Sequence, residues 1–335
     1  MNQARQLTER LKNELKTVSP VSVSVSILDE AVTQFREDFD ERHGGFGSAP
    51  KFPRPQGSAL LLRCYRRTGE SRTLQMVTRT LDAMAAGGIY DHIGGGFARY
   101  STDERWLVPH FEKMLYDNAL LARTYLEAYQ VTKQASYRQV TTEVIDYILR
   151  EMTDPAGGFY SATDADSEGV EGKFFVWTPT EVQAVLQNAE DTRRFCACYD
   201  ITDQGNWEHR SIPNRLRPIE AVAKELNLTI DELYETIHRV RPLLYRARQE
   251  RVPPGLDDKI ITAWNGMMIS AMAEAGRVLG VSRYIDRSHE GGGLSLAGAS
   301  DVRGSAAPHV AAGPSPSRWG TGGLCLSGRR IDRPL

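Results

Sequence analysis

The chain has 335 residues, 41% of them hydrophobic and 25% charged, with a formal net charge of -2 and a pI near 6.4. This is the balance of a globular chain able to bury a large core, as one large domain or two ordinary ones. It offers no general attraction to phosphate backbones or anionic lipid, so nucleic acid is excluded as an expected partner.

The opening stretch MNQARQLTERLKNELK is polar and lacks the apolar core of a signal peptide, and residues 1–26 read as a linker remnant. No apolar run approaches the roughly 20 residues needed to cross a bilayer. A cytoplasmic location without membrane attachment is the expectation. The four cysteines, Cys64, Cys196, Cys198 and Cys325, have neither the number nor the spacing of a disulfide framework or a zinc site. Cys196 and Cys198 read as ordinary helix residues.

Between residues 27 and 285 apolar residues recur at three and four positions, which predicts helices at about 27–40, 57–68, 71–86, 111–131, 134–153, 179–188, 191–199, 218–226, 229–248 and 262–279. Leu115, Ala119, Ala122, Leu126 and Tyr129 form one stripe. Tyr137, Val140, Val144, Ile148 and Met152 form another, and Ile230, Leu233, Ile237 and Val240 a third. Thr178-Pro179-Thr180-Glu181 and Thr229-Ile230-Asp231-Glu232 carry the pattern of a reciprocal cap at a helix start. The class is all-α.

A short motif recurs where helices stop: Gly44-Gly45-Phe46-Gly47, Gly87-Gly88-Ile89-Tyr90, Gly95-Gly96-Phe97 and Gly157-Gly158-Phe159-Tyr160. Glycine takes the left-handed conformation that closes a helix, and the following aromatic can anchor the exit. The uneven intervals point to helical hairpins with loops of different lengths, not to a solenoid with one fixed repeat. From Asp286 onward the chain is rich in Gly, Ser, Ala, Pro and Arg, has no Lys, Phe or Tyr, and shows no helical periodicity. With roughly four arginines for each lysine over the whole chain, residues 286–335 read as an out-of-frame, disordered tail beginning after about Ile285.

The densest chemistry lies in Tyr90-Asp91-His92-Ile93-Gly94-Gly95-Gly96-Phe97-Ala98-Arg99-Tyr100, with Asp103, Trp106 and Pro109 to Asn118 following. A helix starting near Pro109 would set His110, Lys113 or Met114, and Asp117 on one stripe, an imidazole and a carboxylate together, suited to proton transfer near neutral pH. On the structural reading His110 and Glu112 cap that helix, while Asp117 and Asn118 tie down a neighbouring loop.

The stretch Asp164 to Lys173 lies between two aromatic segments that could form a short hairpin. Asp164, Asp166, Glu168 and Gly169 fit the first positions of a calcium loop, but Phe175 falls where a bidentate glutamate is required, so no metal is expected. Its carboxylates could act as acid and base or bind sugar hydroxyls. The glycines suit no phosphate loop, which excludes a nucleotide fold, and no cofactor is expected. A third stretch, Asp257 to Gly266, offers charge, the Trp264 indole and the Asn265 amide; a capped helix start with Trp264 in the core is the structural alternative.

Together, GGFGSAPKFPRP at 44–55, GGIYDHIGGGFARYSTDERWLVPHFEKMLYDNA at 87–119, DADSEGVEGKFFVWTPTE at 164–181, GNWE at 205–208 and DDKIITAWNGMMISA at 257–271 resemble the spermatogenesis-associated, thioredoxin-domain-containing protein family. The resemblance covers about residues 27–285. It implies an (α/α)6 toroid of the six-hairpin glycosidase type, incomplete here, with short β-hairpins in its loops. The family's thioredoxin-like module has no counterpart in this sequence, and its later hairpins give way to the tail.

The expectation is a fragment of a carbohydrate-active-like toroid, its parent a sugar isomerase, epimerase or glycoside hydrolase in carbohydrate metabolism. The alternatives are a non-catalytic scaffold that binds a ligand or partner, and a nonfunctional truncated product. Catalytic candidates are His110, Glu112, Asp117, Asp164 and Asp166. Tyr90, His92, Arg99, Trp106, Tyr116, Asn118, Asp258, Lys259, Trp264 and Asn265 would shape the pocket around a sugar or other small polar ligand.

Overall fold

The computed structural model describes residues 5–6, 8–10 and 24–300, without the side chains of 292–300. The chain divides into two compact units, Met1–Glu37 and Asp38–Leu335. Helix α1 spans Ser26–Asp38, its last residue being the first of the second unit.

The second unit is built from helical hairpins. Helices α2 (Pro55–Thr68) and α3 (Ser71–Ala86) form one, α4 (Leu115–Thr132) and α5 (Ala135–Glu151) the next, and α10 (Thr262–Leu279) and α11 (Ser282–Ser300) another. The first helices of the three hairpins pack side by side, α2 and α10 on either side of α4. That position explains why α4 buries residues on nearly every side, including Leu115, Leu121, Tyr125 and Ala128.

Four helices, α6 (Pro179–Leu186), α7 (Ala189–Tyr199), α8 (Ile219–Leu226) and α9 (Ile230–Gln249), gather around a separate core of Phe195, Tyr199, Val222, Leu233 and Val240. Both reciprocal caps form: the Thr178 and Thr229 hydroxyls each accept from the backbone N–H of the glutamate three residues on, and each glutamate accepts in return. The stripe Tyr137, Val140, Val144, Ile148 and Met152 is buried throughout.

Strands are short and confined to loops. Strand β1 (Tyr100–Ser101) pairs with β2 (Pro109–His110), β3 (Lys113–Met114) with β4 (Ala162–Thr163), β4 with β7 (Leu256–Asp257), and β5 (Asp166–Ser167) with β6 (Val170–Glu171), all antiparallel. The all-α class with small loop hairpins is therefore what the molecule adopts. Two local expectations are corrected. No helix begins at Pro109, because residues 109–110 and 113–114 are claimed by tertiary strand pairing and α4 starts only at Leu115. His110 and Asp117 thus share no helix face, and His110 and Glu112 cap none. Helix α11 also continues past Asp286 to Ser300, where no helical periodicity is legible; residues 301–335 of the expected tail lie outside the described residues.

The glycine-aromatic motif is a repeated structural part. In three loops an aspartate N–H bonds a glycine carbonyl: Asp40 to Gly45 at 3.0 Å, Asp91 to Gly96 at 3.0 Å, and Asp154 to Gly158 at 2.8 Å. In the same loops the following phenylalanine makes a β-bridge back across the turn, Phe46 to Phe39, Phe97 to Tyr90 and Phe159 to Thr153. At Gly96, φ is +82° and a Cβ would lie 2.6 Å from the Tyr147 ring, so both conformation and space demand glycine. Gly87 differs: its φ of −74° is ordinary, and what it permits is close approach, since a Cβ would stand 2.3 Å from the Trp106 carbonyl oxygen.

Candidate functional site

Two strand pairs bring the charged loops together. Tyr100 lies opposite His110 across β1 and β2, and Arg99 N–H donates to the Glu112 carbonyl at 2.8 Å. Asp103 holds the loop between them, accepting from the N–H groups of Arg105 at 2.6 Å, of Leu107 at 3.3 Å and of Val108. The His110 ring stacks on Tyr100 at 5.1 Å, and Tyr100 stacks on the exposed Phe52 at 4.9 Å.

His110 sits between two carboxylates. Its Nδ1 lies 2.8 Å from Glu171 Oε1, delivered by β6, and its Nε2 lies 3.8 Å from Glu112 Oε2. Glu112 in turn accepts from Arg99 Nη1 at 3.0 Å. Beyond Arg99 come Tyr116 and Asp117, in the first turn of α4, and the Trp264 indole packs on Tyr116 with ring centroids 4.8 Å apart.

Asp117 is the electrostatic outlier. Burial pushes its carboxyl up to about 7, against the pull of the Arg99 charge and the Tyr116 hydroxyl, with Glu112 adding repulsion. Its Oδ2 is buried and accepts no hydrogen bond among the described residues. A carboxyl in that state can donate or take a proton near neutral pH, which an ordinary aspartate does not.

Other expected site residues serve the fold. Asn118 is fully buried, and its amide accepts from Phe97 N–H at 2.8 Å while donating to the carbonyls of Phe97 at 3.0 Å and Met114 at 2.9 Å. Asn265 does the same one hairpin on: it accepts from Phe159 N–H at 2.8 Å and donates to the carbonyls of Phe159 at 2.9 Å and Ile261 at 3.2 Å. Each amide is the clasp of a glycine-phenylalanine loop, fixed from the first turn of the neighbouring helix.

Trp106 is wholly buried, with its indole N–H donating to the His43 carbonyl at 3.2 Å. His92 is buried and held near 4 by burial and the Arg215 charge, so its neutral ring bonds the Gly87 carbonyl through Nε2 at 2.9 Å. Tyr90 gives its hydroxyl to Glu143, itself paired with Arg241 at 2.5 Å.

Asp164, Asp166, Asp258 and Lys259 are exposed. Lys259 pairs with Asp257 at 2.7 Å. Asp166 lies opposite Glu171 in β5 and β6, and Asp164 accepts from the Ala165 N–H at 2.7 Å. Asp166 meets the His110 cluster only through the β5–β6 backbone pairing with Glu171, and no side chain of the four makes a hydrogen bond or ion pair to that cluster among the described residues. The structure thus unites His110, Glu112, Arg99, Tyr116, Asp117 and Trp264, and adds Glu171, Tyr100 and Phe52.

A buried ion cluster braces this framework from within. Lys113 Nζ donates to Asp91 Oδ2 at 2.8 Å and to the Gly95 carbonyl at 2.9 Å, while Arg248 Nη1 donates to Asp91 Oδ1 at 2.8 Å. Burial alone would raise Asp91, but the Arg248 and Lys113 charges hold it well below the usual carboxylate range. Lys51 repeats the arrangement one loop earlier, donating to Asp40 and, at 2.8 Å, to the Gly44 carbonyl. Among the described residues no three His, Cys, Asp or Glu side chains are grouped to hold a metal ion, and no helix is long and apolar enough to cross a membrane.

No protein-family model matches the chain. Human spermatogenesis-associated protein 20 is 36% identical over 320 residues, which covers 85% of this chain and 41% of the human protein. Among solved structures, the family 76 glycoside hydrolase (mannosidase) Bt3792 from Bacteroides thetaiotaomicron overlaps 71% of this chain and 41% of its own at 13% identity, with a TM-score of 0.40. A sugar epimerase from a ruminal bacterium overlaps 81% of this chain and 69% of its own, also at 13% identity, with a TM-score of 0.38. The chain spans about two fifths of the human relative. Over the segment it shares with that protein, the chain belongs to the spermatogenesis-associated protein 20 family.

Proposed function

We propose that the loops of this helical-hairpin fold form an acid–base site for a sugar or a similar polyhydroxylated ligand, with His110 and Asp117 as the proton-transfer groups. The observation that carries the reading is Asp117: a carboxyl pushed to about 7, with one buried oxygen unbonded, lies in a charged chain that leads through Tyr116, Arg99 and Glu112 to His110. Glu112 and Glu171 orient the imidazole, and Arg99 anchors Glu112. A sugar ring offers both hydroxyls and apolar faces, which suits the packed rings of Trp264 and Tyr116 and the stacked rings of Tyr100 and Phe52. The reaction class is isomerisation, epimerisation or hydrolysis, each of which needs one group to give a proton and another to take one.

The test is a screen of mono- and oligosaccharides for conversion by the chain and by its His110→Gln variant. Conversion is expected, with the variant slower by about 100- to 10,000-fold, the usual worth of a positioned acid or base. Saccharide binding without any conversion would replace this reading with that of a binding scaffold. Conversion undiminished in the variant would remove His110 from the chemistry.

A further inference from the structure

A second cleft, of about 750 Å³, lies where three parts of the chain meet. The loop before Gly44 supplies Glu41, Arg42 and His43, helix α3 supplies Arg72, Arg79 and Asp82, and the β1–β2 loop supplies Arg105. Glu41 is engaged by Arg72. Arg79 donates to the Arg42 carbonyl at 3.0 Å, a neutral acceptor that leaves its charge unmatched. Among the described residues the Arg42, Arg79 and Arg105 guanidinium groups form no ion pair, and Asp82 is the one lining carboxylate left to face them. The chain as a whole carries a net charge of -2, so this excess of cations is local and does not reflect composition.

The three segments are also fixed against one another before any ligand arrives. Gly45 N–H donates to Thr80 Oγ1 on α3 at 2.9 Å, which pins the first loop, and the Trp106 indole donates to the His43 carbonyl at 3.2 Å, which ties the Arg105 loop to it. Ala83, Ala86 and the exposed Leu216 give the cleft an apolar floor. The guanidinium groups are carried on segments tied to one another, and their planar forks of donors match the oxygens of a phosphoryl group, whose double negative charge calls for more than one cation.

We propose that this cleft binds a phosphorylated small molecule, with its phosphoryl dianion held by Arg42, Arg79 and Arg105. The cleft stands apart from the His110 cluster in its residues and does not depend on the function proposed for that cluster. The probe is inorganic phosphate at pH 7.5, titrated into the chain by calorimetry, with sodium chloride at equal ionic strength as the control for screening. Saturable binding is expected with phosphate and not with chloride, weakened at least tenfold in the Arg79→Gln/Arg105→Gln double variant. Arg105→Gln alone, at an exposed loop position that cannot unfold the chain, is expected to weaken it by a smaller factor. Equal responses to phosphate and chloride, or unchanged affinity in both variants, would overturn the proposal.

Discussion

Replacing Asn118 by alanine is expected to destabilise the chain by about 4 kcal/mol, measured as a shift of the urea-unfolding midpoint at constant slope. The amide makes three hydrogen bonds to backbone groups, and all of them are buried with it. Removing it strands the Phe97 N–H and the Phe97 carbonyl without water, each at about 1–3 kcal/mol, and takes one of two donors from the Met114 carbonyl, which caps α4. Asn118→Asp separates the causes. A carboxylate still accepts from Phe97 N–H but cannot donate to the Phe97 and Met114 carbonyls, so it is expected to be no better than alanine. A loss under 1 kcal/mol in the alanine variant would show that the loop does not depend on its clasp.

Asp117→Asn is expected to do the opposite, stabilising the chain increasingly as pH rises from about 4 to about 7. The sign follows from linkage. In the folded chain burial holds the carboxyl protonated up to about 7, whereas in the unfolded chain it ionises near the ordinary aspartate value of 3.8. Between those values the unfolded state has released a proton that the folded state retains, so wild-type stability falls with rising pH and levels off above 7. The loss reaches at most about 4 kcal/mol, at 1.36 kcal/mol for each unit of difference. Asparagine has no proton to lose and escapes it. Comparing urea unfolding of the two chains at pH 4.5 and 7.5 checks this, and an unchanged difference between the two pH values would contradict it. A group whose charge weakens the fold is the pattern of a residue kept for chemistry, and the same variant is expected to lose conversion of any saccharide substrate.

Much of the architecture was legible because it rests on local periodicity. The stripe from Tyr137 to Met152 and the caps at Thr178 and Thr229 involve residues within a few turns of each other, where spacing alone decides the geometry. The helix expected over 111–131 forms from Leu115, and its suggested start near Pro109 failed for the converse reason. Residues 109–114 read as a helix start, but strand partners at Tyr100 and Thr163 claim them, and such partners leave no trace in the local pattern.

The candidate site was legible in its residue types and less so in which side chains gather there. His110, Glu112, Arg99, Tyr116, Asp117 and Trp264 do gather, whereas Glu171, in the right stretch, had no local sign that it would reach an imidazole 61 residues away. Asn118 and Asn265 looked like ligand-binding amides because they stand beside charged and aromatic residues, although for Asn118 the alternative of tying down a neighbouring loop was also legible. Their partners are instead the backbones of Phe97 and Phe159, and composition cannot distinguish a backbone acceptor from a bound hydroxyl. One signal was available: each asparagine occupies the fourth position of its helix, and each clasps the phenylalanine of a Gly-Gly-Phe loop. The Asp91 cluster was hidden altogether, since Arg248 joins it from 157 residues along the chain.

The most direct test of the acid–base site is the titration of the Asp117 carboxyl itself, followed by carbon NMR with the resonance assigned through Asp117→Asn. The structure predicts a midpoint near 7, about three units above an ordinary aspartate. A midpoint near 4 would mean that the carboxyl is solvated and charged at neutral pH, and would remove the proton donor on which the proposed function rests.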